Sequence, residues 1–388
     1  MTSYQVTWKG PVRRHSGIGR ASREYALALS RQGVDVKVEV EKSRDKKPAA
    51  GGALGRLLRK PYAAGKRKIL IYHYFPYMIR MRKERQKYDH IILNTVWETT
   101  RVPRKWFPNL NRFDAILVPS RHNKAALLRS GVKVPVYIVP HGVNTKQFTP
   151  RNKKLAVKGT AGRFVFVSVF GFQHRKNPEG LLRAYWEEFG PSEKVALVIK
   201  TNGYGSGQTE KWIRNKINGY KKRLGFRKTA PVILISSRMP EHRLKGLYTL
   251  GSAFVLPTRG EGVGLPFLES LASGVPVITT GWGGHMDFVT RRNSFLVKYR
   301  LQNPAVSMRS KHSISSLFRG FFAQKGQLWA EPDIGSLKRQ MRTAFQQRAV
   351  CQKKGRQGRQ DVMKFTWNRA GAGMKRAVER TIRKKGRR

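Results

Sequence analysis

Cysteine is almost absent, with Cys351 the single one in 388 residues. It closes no internal disulfide and, without a second thiolate, builds no cysteine-based metal site, which fits a reducing compartment. Long apolar runs are missing as well. No stretch of about 18 apolar residues occurs, which excludes a membrane-spanning helix of the usual kind. The opening segment MTSYQVTWKGPVRR has neither the apolar core nor the small-residue cleavage site of a signal peptide, so the chain is expected to stay in the cytosol. No Asp-x-Asp pair and no His-Glu-x-x-His is present, and the nine histidines are scattered. A metal centre is therefore not expected. Nor is there a Ser/His/Asp or Cys/His block of the kind hydrolases use.

Acids are the other scarcity. The chain carries 22 Asp+Glu against 79 Lys+Arg, a formal net charge of +57. The excess is even, with 31 cations and 9 acids over residues 1–150 and 48 and 13 over residues 151–388. An even excess is a surface-wide property that attracts polyanions and anionic lipid, rather than a single nucleic-acid footprint. Only residues 353–388 are richer, with 14 cations and 2 acids. Hydrophobic residues make up 39% of the chain, a low value, yet they gather in dense runs, so the polarity lies on surfaces and wholesale disorder is excluded. A chain this long exceeds one typical core of roughly 100–200 residues, so two similar α/β halves plus a tail are expected.

The first half opens with a strand-like run, Tyr4 to Trp8, then the glycine-bearing turn HSGIGR and a helical stretch closed by Gly33. Val34 to Val40 alternates as a second strand, and Glu41 to Lys68 reads as a mobile surface loop. Short β-branched runs follow, KILIYHYF, HIILNTVW, DAILVPS and VYIVPHG, in the pattern of parallel strands with crossovers. Around Phe148 to Gly162 the text turns polar, as a linker would. The grammar then restarts, with strands at 164–169, 195–200, 232–236, 253–257 and 275–279 and helices beginning near Pro178, Thr209, Glu241 and Leu265. Two further helical segments follow Ile334.

The most informative segment is AFVLPTRGEGVGLPFLESLASGVPVITT. A buried strand ends at Pro257, a glycine-rich turn follows, and a helix starts near Leu265 with Pro266 in its first turn, where proline is tolerated. Amides at such a helix start lack intrahelical partners and lie at the positive end of the dipole, so the turn can hold a diphosphate. Glu261 sits in the turn and Glu269 within the helix, a spacing that lets one carboxylate reach a sugar and the other a ribose. The plainer reading is a strand-to-helix turn with two incidental acids. The shortage of acids makes two beside one turn more pointed than it would be elsewhere.

This stretch resembles the signature of the retaining glycosyltransferases often called family four, in which two glutamates with seven residues between them bracket Gly-x-Gly-Leu-Pro. GFQHRKNPEGLLRAY, WETTRVPRKWFPNLNRFDAILVPS, VPHGVNTKQF, GGHMDFV, WAEPD and FTWNRA resemble further blocks of that family in order, over most of residues 90–375. The resemblance implies an α/β chain of two Rossmann-like doubly wound domains facing a cleft, the GT-B fold, with C-terminal helices. It implies an acceptor domain over 1–155, a nucleotide-sugar donor domain over 156–350, and a basic helical segment over 351–388 packed back on the first domain.

Carried over residue by residue, it implies that Glu261 contacts the transferred sugar and Glu269 the ribose, with amides around Gly262, Val263, Gly264 and Leu265 on the phosphates. Arg175 and Lys176 would bind the diphosphate as cations, where negative charge grows as the glycosidic bond breaks. Gly17 and Gly19 would let the first-domain loop approach the donor. Phe172, Asn144 and Thr100 depart from the family pattern, which has Gly-Arg-Leu, His-Gly-Val-Asp and an aspartate at these places, and Arg175 is expected to replace the missing arginine. Glu98 reads either as an acceptor-facing carboxylate or as an ion pair, and His141 either as a loop brace or as an acceptor-side base. Asp287 reads as a loop brace or a donor-side group. The implied function is metal-independent, retaining transfer from a nucleotide-diphosphate sugar to a glycan, lipid-linked or protein acceptor, with a possible anionic membrane partner. Two rivals are a nucleic-acid binder, suggested by KWIRNKINGYKKRLGFRK, and an inactive donor-binding relative. In the first of these the spacing of Trp212, Ile213, Ile217, Tyr220 and Leu224 suits one apolar helix face.

Overall fold

The computed structural model describes residues 2–41, 51–205, 207–237, 239–311, 313–315 and 317–385. The chain divides into two compact units, one of Met1–Trp97, Arg101–Gly142 and Lys364–Arg388, the other of Glu98–Thr100 and Val143–Met363. In chain order the first contributes strands β1 (Tyr4–Gly10), β2 (Asp35–Val40), β3 (Arg67–Tyr72), β4 (His90–Asn94), β5 (Ala115–Val118) and β6 (Val136–Ile138), with helices α1 (Gly17–Arg31), α2 (Gly52–Arg59), α3 (Met81–Arg85) and α4 (Arg121–Arg129). The second contributes β7 (Phe164–Gly171), β8 (Val195–Asn202), β9 (Val232–Ile235), β10 (Ala253–Leu256), β11 (Val277–Thr280), β12 (Ser294–Val297), β13 (Tyr299–Gln302) and β14 (Trp329–Pro332). Its helices are α5 (Pro178–Glu188), α6 (Glu210–Arg223), α7 (Glu241–Leu250), α8 (Leu265–Ala272), α9 (Pro304–Met308), α10 (Arg319–Phe322), α11 (Ile334–Gln346) and α12 (Arg348–Val362). The chain then returns to the first unit as α13 (Trp367–Lys385).

Each unit holds a six-stranded sheet, in the orders β2-β1-β3-β4-β5-β6 and β12-β11-β10-β7-β8-β9, with every pairing parallel. Strands covered by helices on both faces read as continuous apolar runs, and β4, β5 and β10 are buried at every position. These are two Rossmann-like doubly wound domains. β13 and β14 form a separate antiparallel pair that the sequence reading did not anticipate.

The helices start and stop for local reasons. Ser16 caps α1 by accepting from the Gly19 amide at 3.4 Å, and Gly33, at φ 75°, follows the last turn. The Gly19 Cα lies against the Arg14 carbonyl with no room for a Cβ, so this glycine serves its own loop, whereas Gly17 faces open space. Helix α13 packs on α1 through Trp367, Ala370, Met374, Ala377 and Val378, all buried, and a Cβ at Gly371 would stand 2.5 Å from the Ala28 carbonyl oxygen. Likewise α12 lies close on α8, with Gly358 opposite Leu271.

Two expectations are corrected. The segment from Glu41 to Lys68 is not a loop throughout, because α2 forms within it and packs on β2 through buried Leu57, while residues 42–50 lie outside the described residues. Glycines 52 and 55 hide this helix from a propensity reading, and tertiary packing overrides them. The helical stretch after Ile334 breaks at Gln347, and the basic stretch around Cys351 is a helix of the second unit, α12.

Candidate functional site

In a doubly wound sheet the crevice for ligands opens beyond the carboxyl ends of the strands where the order reverses. In the second unit that point lies between β7 and β10, which pair through Ala253↔Phe166 and Phe254↔Val167, while the chain leaves β7 toward β8 on the other side. The loops that follow these two strands carry Arg175 and Lys176 on one side and Glu261 on the other.

The β7 loop is shaped by Asn177, the one described non-glycine residue besides Phe318 with positive φ. At φ 58° Asn177 ends the tight turn His174–Lys176 and caps α5 by accepting from the Gly180 amide at 3.0 Å. Its amide nitrogen donates to the Pro257 carbonyl at 3.0 Å, and the Thr258 hydroxyl and Arg259 amide donate to the Arg175 carbonyl at 3.1 and 2.8 Å. Three hydrogen bonds thus stitch the two loops together. Beneath them Arg259 holds Glu331 in a fork at 2.6 and 2.9 Å, donates to the His174 carbonyl at 2.5 Å, and lies 3.3 Å from Glu179, which also contacts the His174 ring. The bidentate guanidinium–carboxylate geometry explains why an arginine occupies this place.

On this platform the charged groups converge. The Lys176 ammonium pairs with Glu261 Oε1, Arg175 Nη1 lies 3.6 Å from Glu261 Oε2 and donates to the Gly260 carbonyl, and Arg175 Nη2 lies 3.1 Å from Glu98 Oε1. Burial alone would raise the Glu261 carboxyl, but Lys176 and Arg175 beside it hold it below the ordinary 4.5. Burial moves the Lys176 ammonium below its ordinary 10.5, and Glu261 opposes that shift.

The turn then runs into α8. Gly264, at φ 77°, is followed by Leu265 and by Pro266 in the first turn, and no side chain among the described residues caps this start. Glu261, Gly262 and Val263 are buried, whereas Gly264, Leu265 and Pro266 are half-buried at the rim. The Gly284 amide donates to the Glu261 carbonyl at 2.7 Å, and Gly283, at φ 124°, lets that carbonyl approach. Five residues into the helix Glu269 is buried and accepts from the Tyr248 hydroxyl at 2.7 Å. Among the described residues no group of three or more His, Cys, Asp or Glu is placed to hold a metal ion.

Sequence reasoning brought Arg175, Lys176, Glu261 and the α8 turn to one place. It did not anticipate Asn177, Thr258, Arg259, Glu331 or Tyr248, whose bonds run between segments far apart in sequence. Phe172, at the position of the missing family arginine, is fully buried against Trp212 at 5.9 Å between rings. His141 lies in the first unit, with Nδ1 2.8 Å from the Tyr25 hydroxyl and its ring 5.8 Å from that of Trp367. Burial pushes its pKa down to about 3, far from the range a general base uses. Asp287 ends a short turn, Gly284–Asp287, near buried His285.

Residues 161–306 match the family described as Glycosyl transferases group 1. Among curated relatives, D-inositol 3-phosphate glycosyltransferase of Corynebacterium jeikeium is 30% identical over 157 residues, 38% of this chain and 36% of the relative. The lipopolysaccharide core biosynthesis mannosyltransferase LpsB of Rhizobium meliloti is 28% identical over 194 residues, 47% and 49% of the two chains. The matches therefore span less than half the length of these relatives. Several solved structures resemble nearly the whole chain. Sucrose-phosphate synthase of Thermosynechococcus elongatus has a TM-score of 0.70 at 16% identity, covering 98% and 99% of the chains. HepE of Anabaena, in complex with UDP and glucose, has a TM-score of 0.66 at 12% identity, covering 97% and 99%. The chain has the GT-B fold. Arg175, Lys176, Glu261 and Glu269 all lie within the residues that match the glycosyl transferases group 1 family.

Because Glu261 is held ionised below 4.5, it contributes stability that is present above its unfolded value and lost as pH falls through its folded value. Thermal melting of the wild type should fall more steeply below pH 4.5 than that of Glu261→Gln, whose amide does not titrate. Parallel acid profiles would show that Glu261 is not held ionised by its neighbours.

Proposed function

We propose that this chain transfers a sugar from a nucleoside-diphosphate sugar to a hydroxyl of a glycan, lipid-linked or protein acceptor, with retention of anomeric configuration and no metal ion. The observation that carries the reading is the placement of two cations and two buried glutamates around the start of α8 at the switch point of the second sheet. The α8 amides and dipole suit a diphosphate, and Arg175 and Lys176 add the charge a divalent cation supplies elsewhere. Glu261 then faces the sugar, and Glu269, oriented by Tyr248, faces the ribose. In this reading the bond from the anomeric carbon to the phosphate oxygen breaks as the bond to the acceptor oxygen forms on the same face. The acceptor's proton passes to a donor phosphate oxygen. The cations stabilise the departing diphosphate, the charge that develops in the transition state.

The relatives' names support sugar transfer, and the solved complex with UDP and glucose supports a nucleotide donor on this fold. The nucleic-acid alternative loses its main support in α6. Ile213, Ile217 and Tyr220 are buried in the unit's core and Trp212 packs on Phe172, so these aromatics are not displayed for base stacking.

Glu269→Ala should weaken binding of the preferred nucleotide about ten- to a hundredfold, the value of one or two charge-assisted hydrogen bonds. Glu261→Ala should lower turnover about a hundredfold while binding the nucleotide more nearly as the wild type does. Calorimetry and a transfer assay on the same preparations check both, with UDP-, GDP-, ADP- and dTDP-sugars as the donor panel, and EDTA should leave turnover unchanged. Wild-type affinity and activity in both variants would remove the site assignment. Loss in EDTA restored by Mn²⁺ would remove the metal-independent part, and binding without transfer would mark an inactive donor-binding relative.

Among the described residues no helix is long and apolar enough to cross a membrane. The apolar side of α13 is occupied by α1, so we propose that attraction to anionic lipid, at about 1 kcal/mol per basic residue near the surface, acts through charge alone. Flotation with phosphatidylglycerol vesicles should show binding at low salt that fades toward physiological salt, with none to neutral vesicles. Binding that is indifferent to salt, or absent at both, would overturn it.

A further inference from the structure

Glu98 comes from the text between β4 and β5, yet Glu98–Thr100 belong to the second unit. The backbone there is fixed closely. The Thr100 amide donates to the Leu328 carbonyl at 3.0 Å, the Leu328 amide returns a bond to the Thr100 hydroxyl at 2.9 Å, and the Glu98 carbonyl lies against the Gly260 Cα, where a Cβ would not fit. So anchored, the Glu98 side chain reaches Arg175 Nη2 at 3.1 Å. Thr100, where the family pattern carries an aspartate, supplies the hydroxyl that makes one of these anchors. The acceptor-facing reading of Glu98 thus gives way to an ion pair, and the ion pair is with a cation assigned to the donor.

Charge counting shows what this contact implies. Arg175 and Lys176 are balanced by Glu98 and Glu261, so the buried cluster is neutral as it stands. A nucleoside-diphosphate sugar brings about two negative charges, and the helix start offers only about half a positive one. Extra charge left unpaired in a buried site is costly, so one carboxylate must give way. Glu261 is held from two sides and its side chain is 5% exposed, whereas Glu98 pairs with Arg175 alone among the described residues and is 18% exposed. Arg175 Nε, buried and without a hydrogen-bond partner among the described residues, leaves the guanidinium with donor capacity to spare.

We propose that Glu98 is a positioning residue, the resting counter-ion that holds Arg175 in place until the donor's diphosphate takes the carboxylate's position on the guanidinium. This rests on the donor-site reading above and adds a group to it. The groups facing Glu98 are Arg175, Lys176, Glu261 and Tyr204. Burial, and then the nearness of Glu261, already raise the Glu98 carboxyl above its ordinary 4.5 against the pull of Arg175. Losing Arg175 to the diphosphate and gaining its negative charge raise it further, so Glu98 takes up a proton as the nucleotide binds. Affinity accordingly falls as pH rises through the range between the free and bound values. With Glu98 protonated, the cations exceed the carboxylates by one, so the bound site carries about one net negative charge instead of two, and the start of α8 offsets about half of that.

The test is calorimetric titration of the full chain with UDP-glucose, GDP-glucose and ADP-glucose, whose diphosphate has no proton to lose in this range, in paired buffers of different ionisation enthalpy and across acid to mildly alkaline pH, on wild type and Glu98→Gln. For the nucleotide that binds, the wild type should take up a fraction of a proton approaching about one, with affinity falling as pH rises. Glu98→Gln should lose that uptake, flatten the pH dependence and bind about three- to tenfold tighter at the alkaline end, with donor KM falling in step and kcat changed by no more than a few-fold. The wild-type proton count needs no variant, so it decides the matter even if Glu98→Gln folds poorly. Nucleotide binding with no proton uptake, or a Glu98→Gln that loses kcat and acceptor affinity while donor binding is unchanged, overturns the proposal and leaves the donor site standing. Failure of all three nucleotides to bind overturns the donor site itself, and the proposal with it.

Discussion

The buried pairing of Lys176 with Glu261, with Arg175 alongside, is the constraint on which the rest of the second unit's active edge depends. A carboxylate and an ammonium withdrawn from water are costly apart and tolerable only when their geometry is fixed. That geometry requires the loops after β7 and β10 to stay in register, and the structure meets the requirement with hydrogen bonds from the Asn177 amide group, the Thr258 hydroxyl and the Arg259 amide to backbone carbonyls. A loose version of either loop would expose the pair to water and lose both its charge state and its aim.

The unusual composition makes sense against this background. In a chain with 22 acids among 388 residues, three of the four buried acids among the described residues, Glu179, Glu261 and Glu269, cluster within or beneath this one edge, Glu331 sits in the Arg259 fork, and the fourth, Glu84, pairs with Lys9 in the first unit. Arg342 gathers Glu188 and Glu193 at a second place, tying α11 to the end of α5. The surface could take on positive charge almost everywhere because few exposed acids were needed. The internal pairs are different, since removing Glu261, for example, would leave the buried Lys176 ammonium without the carboxylate it pairs with.

The sequence showed the doubly wound pattern because parallel strands buried on both faces cannot avoid long β-branched runs, and it showed the α8 turn because glycine and proline there have backbone reasons. Arg175, Lys176 and Glu261 were legible through the family resemblance, although nothing local required Lys176 to meet a residue 85 positions away. What stayed hidden depended on contacts across the fold. Helix α2 is stabilised by packing on β2 against weak propensity. Arg259 reads as one more arginine in a chain full of them until Glu331 and Glu179 are found around it. Glu98 was legible as one of two alternatives, and only the tertiary structure supplied Arg175 to choose between them.

The central claim is that the start of α8, with Arg175 and Lys176, is a diphosphate site. Crystals of the chain grown with the nucleoside diphosphate that binds it most tightly test this most directly. Density for the two phosphates within hydrogen-bond distance of the Val263 to Leu265 amides and of the Arg175 and Lys176 side chains is the result this account predicts. A nucleotide bound in the crystal at any other place, with Lys176 still paired to Glu261 and the α8 turn bare, would contradict it.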